Sequence, residues 1–282
     1  MRIAMLGCGY VANMYRLTLP AHPELVLAGV FDRERARAET MARLTGAVVY
    51  PDIEALLADD SVALVLNLTN PREHYATWRA LRDGAAGPVR LVYAEMDDGM
   101  VARAPTAKWI NEAGVAWPAL DEFETGCAVE HSAYVLSWLC AFFGPADTVT
   151  AHAEILQPEK IEGLDLAPAP DFSVATIRFR SGVVARLTNG IYADHDHRLA
   201  LWGDEGALIV ADPRSDDSPV TLRRYRTFRR RRWLDRGRRL PLVGGREHIA
   251  RYRGSQTRDF CRAIADMAAA TREGRRPYLD AQ

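Results

Sequence analysis

Residues 2–13 read RIAMLGCGYVAN, and this stretch decides how the first third of the chain folds. The apolar run Arg2–Leu6 has the length of a buried strand, Gly7 and Gly9 break it, and the spacing after Gly9 suits a helix up to Pro20. Gly7, Gly9 and Ala12 form a G-x-G-x-x-A pattern where strand passes into helix. In such a turn the first glycine allows the tight bend, the second lets a pyrophosphate approach the backbone, and the small third residue keeps helix and strand close. The helix start at Tyr10, Val11 and Ala12 offers free N–H groups to phosphate. Residues 25–32, LVLAGVFD, read as the next strand and end in Asp32, at the distance expected for an acid that accepts from ribose hydroxyls. The pairing of turn and acid makes a dinucleotide site the leading expectation. Asp32 favours NAD, because a 2′-phosphate would face a carboxylate. Arg33 and Arg35 leave NADP open, although a solvated helix start explains them as well.

Working outward, residues 33–46 read as a helix closed by Gly46, 47–50 as a short strand, 52–59 as a helix that Asp52 caps, and 62–69 as a nearly continuous apolar strand. Alternating strands and helices imply a parallel sheet covered on both faces. Residues 72–84 have a helical pattern, and VRLVYAEMD at 89–97 resumes as a strand. The texture then changes. Residues 130–144, EHSAYVLSWLCAFFG, read as a helix, and strands with alternating polarity follow at 148–156, 172–180, 183–193, 198–212 and 220–228. A closing helix is expected over 256–274. The expected fold is an α/β unit with a shortened Rossmann-like parallel sheet, followed by an α+β unit with a mostly antiparallel open sheet. The division falls at 1–84 and 85–282.

The whole-chain numbers agree with a packed globular protein: 282 residues, 48% apolar, 26% charged, formal net charge -1. No global charge pulls the chain toward nucleic acid or an anionic membrane, and no run reaches a spanning length. Four cysteines without paired metal spacing fit a reducing cytosol. Lysine is nearly absent, with Lys108 and Lys160 alone against a large arginine count.

Residues 2–12, 25–39, 50–59 and 63–75, followed by GCAVEHSAYVLSWLCAFFG, ATIRFRSGVVARLTNG, LWGDEGALIVAD and RDFCRAIADMAAATREGRRP, resemble the Gfo/Idh/MocA oxidoreductases in order along nearly the whole chain. The resemblance implies hydride transfer between NAD or NADP and a secondary alcohol or ketone of a sugar, cyclitol or similar polyol. It implies Asn67, Thr69, Asn70, Pro71 and His74 on the cofactor side and His131 on the substrate side. It also implies a homo-oligomer, a dimer or tetramer, through the second unit. The family's E-K-P, whose lysine aids proton transfer, has no counterpart. Either YAEMD is its degenerate form, with Glu95 kept, or residues 87–99 open the second unit and a strand-helix-strand block of the first is missing. The second reading is preferred. A catalytically impaired paralogue that binds cofactor or a partner is therefore the alternative function, and a non-redox reaction with bound NAD is a third.

Other residues are weighed against plainer explanations. Tyr134, one turn after His131, could share its face as a catalytic group or simply pack. Asp121, Glu122 and Glu124 could favour a helix start electrostatically. Lys108 is a poor substitute for the missing lysine. His195 and His197 in HDH would share one face of a strand, but with no third ligand in view no metal is expected. The arginine run at 223–239, with Tyr225, Phe228 and Trp233, could contact RNA but reads first as a solvated face.

Overall fold

The computed structural model describes residues 1–67, 84–161, 167, 169–215, 218–241 and 259–277. They divide into two compact units.

The first unit is built on four parallel strands in the order β3-β2-β1-β4: β1 Arg2–Leu6, β2 Val26–Phe31, β3 Val48–Val49 and β4 Leu64–Asn67. Helices α1 Tyr10–Thr18, α2 Arg35–Thr45 and α3 Ile53–Leu57 connect them. Asp52 caps α3 by accepting from the Ala55 N–H at 2.6 Å. Among the described residues β4 is an edge, as expected of a shortened sheet. Two segments from later in the chain complete this unit, residues 105–118 and the closing helix α7 Arg262–Glu273. Helix α7 joins the core by burying Ile264, Ala265 and Ala268, spaced at i, i+1 and i+4, together with Ile3, Met5, Tyr15 and Met41. Asn111 holds residues 105–118 in place by donating from Nδ2 to the Tyr10 carbonyl at 3.2 Å.

The second unit is a nine-stranded mixed sheet: β5 Val89–Asp97, β6 Ala146–Glu154, β7 Phe172–Phe179, β8 Val184–Gly190, β9 Leu199–Gly203, β10 Gly206–Val210, β11 Val220–Phe228, β12 Arg231–Leu234 and β13 Arg238–Arg239. The main order is β12-β11-β10-β9-β5-β8-β7-β6 with β13 beside β11, and only β5 and β8 pair in parallel. Strand β5 therefore belongs to the second sheet, flanked by β8 and β9, and YAEMD is not the end of a strand in the first. Glu95 is held by an ion pair to Arg186 on β8. Short helices α4 Ala119–Thr125 and α5 Cys127–Glu130 lead into α6 Ser132–Phe143, which buries Val135, Trp138 and Leu139 against the sheet. That i, i+3, i+4 stripe is the sequence pattern that made 130–144 legible as a helix.

The arginine run folds as the β11–β12 hairpin and the short strand after it. Its tip places Arg229 at φ 54, a left-handed conformation usually given to glycine or asparagine. Arg224 pairs with Glu205, Arg226 pairs with Asp235, and the Arg232 guanidinium lies 4.1 Å from the Tyr225 ring centroid. Among the described residues no helix is long and apolar enough to cross a membrane.

Candidate functional site

Each unit carries one part of the expected chemistry. In the first, the Gly7 N–H donates to the Phe31 carbonyl at 2.8 Å, which ties the turn to the end of β2. Gly7 has φ +95, a backbone conformation that residues with a β-carbon rarely adopt. Gly9 is extended, so conformation does not require glycine there; a β-carbon at either position would project into open space. What glycine provides at position 9 is clearance above the start of α1, where Tyr10, half-buried, Val11, exposed, and Ala12, buried, begin the helix without any side-chain cap. Uncapped N–H groups beneath open space suit a pyrophosphate. Asp32 Oδ2 accepts from the Cys8 N–H at 2.7 Å and Oδ1 accepts from the Glu34 N–H at 2.8 Å, so the carboxylate is fixed at the rim of the turn. Burial, reinforced by Asp32, pushes the Cys8 thiol up to about 12, which removes it as a nucleophile. Arg33 is exposed, and Arg35 pairs with Glu39 one turn on. Asn67 ends β4 opposite Leu6. Thr69, Asn70, Pro71 and His74 lie outside the described residues.

In the second unit, Asp98 follows β5 and organises a half-buried cluster. His131 Nε2 is 3.4 Å from Asp98 Oδ2, while His197 Nε2 and Arg214 Nη1 each stand 2.8 Å from Oδ1. The Arg214 guanidinium lies 4.9 Å from the Tyr134 ring centroid, and the His131 and Tyr134 rings are 6.4 Å apart. His131 and Tyr134 thus share one neighbourhood, as their spacing suggested.

Local chain geometry explains the gathering. Asp97 and Asp196 exchange backbone hydrogen bonds as an antiparallel bridge, N–H to carbonyl at 3.0 and 2.9 Å. Alternation across that bridge turns His195 and His197 to the same face as Asp98. The two histidine rings are 4.0 Å apart, and one ligand-type atom from each of Asp98, His195 and His197 lies within 4.8 Å of the others. The expectation that the histidine pair has no third ligand nearby is therefore corrected. The third group comes from the end of β5, which no local spacing could reveal.

The electrostatics follow from burial against charge. Burial by itself would raise Asp98, but the His197 contact and the charges of Arg214 and His131 hold its carboxyl well below the ordinary range. Burial pushes His131 below 6.5, opposed by Asp98 and assisted by Arg214, so its neutral form is favoured; its Nδ1 is buried without a hydrogen-bond partner. Burial also raises Tyr134 and Glu130. Glu122, on α4, is raised to about 7 by burial and then by Glu130, Asp121 and Asp98. Asp97, on the opposite face of its strand from Asp98, is raised to about 6 by burial and then by Glu95 and Asp196. No local spacing in the sequence joins Asp98, His197 and Arg214, because they come from segments that only the second sheet brings together.

Neither lysine stands at the end of a strand of the first sheet. Lys108 is exposed on a single 3-10 turn of the first unit. Lys160 is sealed against Asp171, Nζ to Oδ2 3.2 Å, with each side chain 1% exposed.

A parallel sheet with a glycine turn and rim acid, followed by an open sheet with its own ionisable cluster, is the plan of a dinucleotide-dependent oxidoreductase. Comparison agrees. The model of the oxidoreductase family with an NAD-binding Rossmann fold matches residues 1–84, and that of the GFO/IDH/MocA C-terminal domain matches residues 75–209. The chain belongs to the Gfo/Idh/MocA oxidoreductase family. Solved structures of the same fold include an oxidoreductase from Agrobacterium radiobacter in complex with NAD+, L-tartaric acid and magnesium, 12% identical over 99% of this chain and 90% of that one, TM-score 0.70. A levoglucosan dehydrogenase with NADH and levoglucosan is 14% identical over 98% and 90%, TM-score 0.69. KijD10, a 3-ketoreductase from Actinomadura kijaniata with bound NADP, is 18% identical over 98% and 91%, TM-score 0.64. No curated protein matches the sequence.

Proposed function

We propose that the protein is an NAD-dependent oxidoreductase that moves a hydride to or from a secondary alcohol or ketone of a sugar-like polyol. The cofactor supplies the hydride chemistry. In this reading residues 1–84 hold it: Gly7 and Gly9 leave room for the pyrophosphate, the N–H groups from Tyr10 to Ala12 face it, and Asp32 meets the adenosine ribose and disfavours a 2′-phosphate. In this reading Arg33, Asn67, Thr69, Asn70, Pro71 and His74 also take part in holding it. From residue 85 onward the chain supplies the substrate side, with His131 exchanging a proton with the substrate oxygen and Tyr134 beside it. The observation that carries the reading is the half-buried cluster around Asp98, where a neutral histidine with an unsatisfied nitrogen, a tyrosine and an arginine converge. Levoglucosan, named for one of the related structures, is a sugar of this class. We further infer a cytosolic homo-oligomer associated through the second unit.

The test is titration of the protein with NADH and NADPH by nicotinamide fluorescence, followed by a polyol panel read at the nicotinamide absorbance. Micromolar NADH binding, weaker NADPH binding and turnover that His131→Ala abolishes are expected. Tight NADH binding with a silent panel would favour the impaired paralogue, which the commitment of Lys160 to Asp171 and the exposure of Lys108 also support.

A further inference from the structure

We propose that Asp98, His195 and His197 bind one first-row divalent cation, such as zinc, manganese or iron(II), in the second unit. Three potential ligands converge there: one imidazole nitrogen from each histidine and one carboxylate oxygen, all within 4.8 Å of one another. Bonds of about 2.0–2.2 Å to a shared ion place ligand atoms about 3.4 Å apart, so the side chains would close in on it by rotamer shifts of up to about 1 Å.

A second observation points to a ligand. The His197 side chain is 1% exposed, and neither of its ring nitrogens makes a hydrogen bond, although Nε2 lies 2.8 Å from Asp98 Oδ1 and Nδ1 lies 3.5 Å from Asp212 Oδ1. A buried imidazole set between two carboxylates, with neither contact aligned as a hydrogen bond, suits metal ligation at one nitrogen with a carboxylate at the other. Here Asp212 stands where the outer partner of a ligating histidine belongs. Arg214, 2.8 Å from Asp98 Oδ1, does not displace the ion, because a carboxylate has lone pairs for a guanidinium and a cation together. Beside it stand the Asp98 and Asp212 carboxylates on either side of His197, whose fields favour a cation.

The donor set selects the ion. Two nitrogens and one oxygen suit zinc, manganese, iron(II) or nickel, whereas magnesium and calcium prefer an all-oxygen shell. Three protein ligands leave a coordination position open, the arrangement of catalytic and not structural sites. His195 is the exposed member of the three. On the oxidoreductase reading, and resting on it, the open position receives the substrate hydroxyl or carbonyl oxygen, so the ion polarises it where the family lysine is missing. Cation binding itself does not depend on that reading.

The experiment uses untagged protein, stripped with a chelator and returned to metal-free buffer, with no nicotinamide or substrate present. Zinc is titrated calorimetrically, and cobalt(II) is added separately to record its visible spectrum. One equivalent per chain at micromolar affinity or tighter is expected, with a cobalt spectrum of nitrogen and oxygen ligation. His195→Ala, at an exposed position, should weaken zinc by at least about tenfold. His152→Ala, an exposed histidine on β6, should leave binding unchanged. Asp98→Asn, checked for folding by circular dichroism, should weaken it as well. Absence of saturable one-to-one binding overturns the proposal, and so does binding that survives His195→Ala and Asp98→Asn undiminished. Because the readout is metal alone, failure here leaves the nicotinamide titration standing, and failure of that titration leaves this site standing.

Discussion

Replacing Glu122 with glutamine should stabilise the protein at alkaline pH and leave it nearly unchanged in acid. Glu122 lies on α4, mostly buried, where burial and then the charges of Glu130, Asp121 and Asp98 raise it from 4.5 to about 7. Between those values the folded chain holds a proton that the unfolded chain has released, so stability falls as pH rises through the interval. The full interval corresponds to about 3 kcal/mol, and residual solvent access reduces it to about 1–2 kcal/mol. Glutamine keeps the shape and cannot ionise, so the variant avoids that loss. Urea unfolding of both proteins from about pH 4.5 to about pH 8 reads the difference directly, free of the other carboxylates common to both. The gap should open from near zero to about 1–2 kcal/mol in favour of the variant. A constant gap, or a variant less stable than the parent at the alkaline end, would refute the burial argument.

The glycine turn separates two roles by substitution. Gly7→Ala, at φ +95, should cost about 1–2 kcal/mol in urea unfolding, whereas Gly9→Ala should stay within about 0.5 kcal/mol yet weaken NADH binding by fluorescence at least about tenfold. Lys160→Met leaves the buried Asp171 carboxylate with the Leu156 and Gln157 N–H groups alone and should cost about 3–5 kcal/mol in the same assay; a loss below about 1 kcal/mol would mean that those two hydrogen bonds suffice. His22, whose Nε2 is 2.7 Å from Asp259 Oδ2, is raised above 6.5 chiefly by that hydrogen bond, so its contribution is complete below pH 6.5 and is lost as pH climbs through the raised value. His22→Gln should therefore cost about 1–2 kcal/mol at about pH 6 and little at about pH 9; equal losses at both would show that shape and not charge matters.

The sequence exposed what local pattern controls. The β1–α1 turn and Asp32 were legible because glycine spacing and strand length are local, and α6 because its buried residues recur at helical spacing. The assignment of residues 89–97 was ambiguous, since an apolar run does not name its sheet; pairing with β8 and β9 decided it. The cluster was half legible. His131 and Tyr134 stood out on one turn of chain, but Asp98, His197 and Arg214 come from three distant segments that only the sheet brings together. The arginine run was read as a solvated face, and its hairpin went unseen because arginine is an unusual residue for the turn at position 229.

The position of β5 governs how the second unit can be made. It is the first strand of its sheet to leave the ribosome, yet its neighbours are among the later ones: Leu91 pairs with Val184 on one side and Trp202 on the other. Until those segments emerge, an apolar strand waits with both edges unpaired, and the loops to be closed are long. The antiparallel partners β6 and β7 can zip early, but the sheet cannot gain its central strand until β8 and β9 arrive, so the two halves of the core must join late around a strand made early. Refolding should therefore be slow and sensitive to protein concentration, with residues 89–97 the first place where chains stick to one another instead of folding.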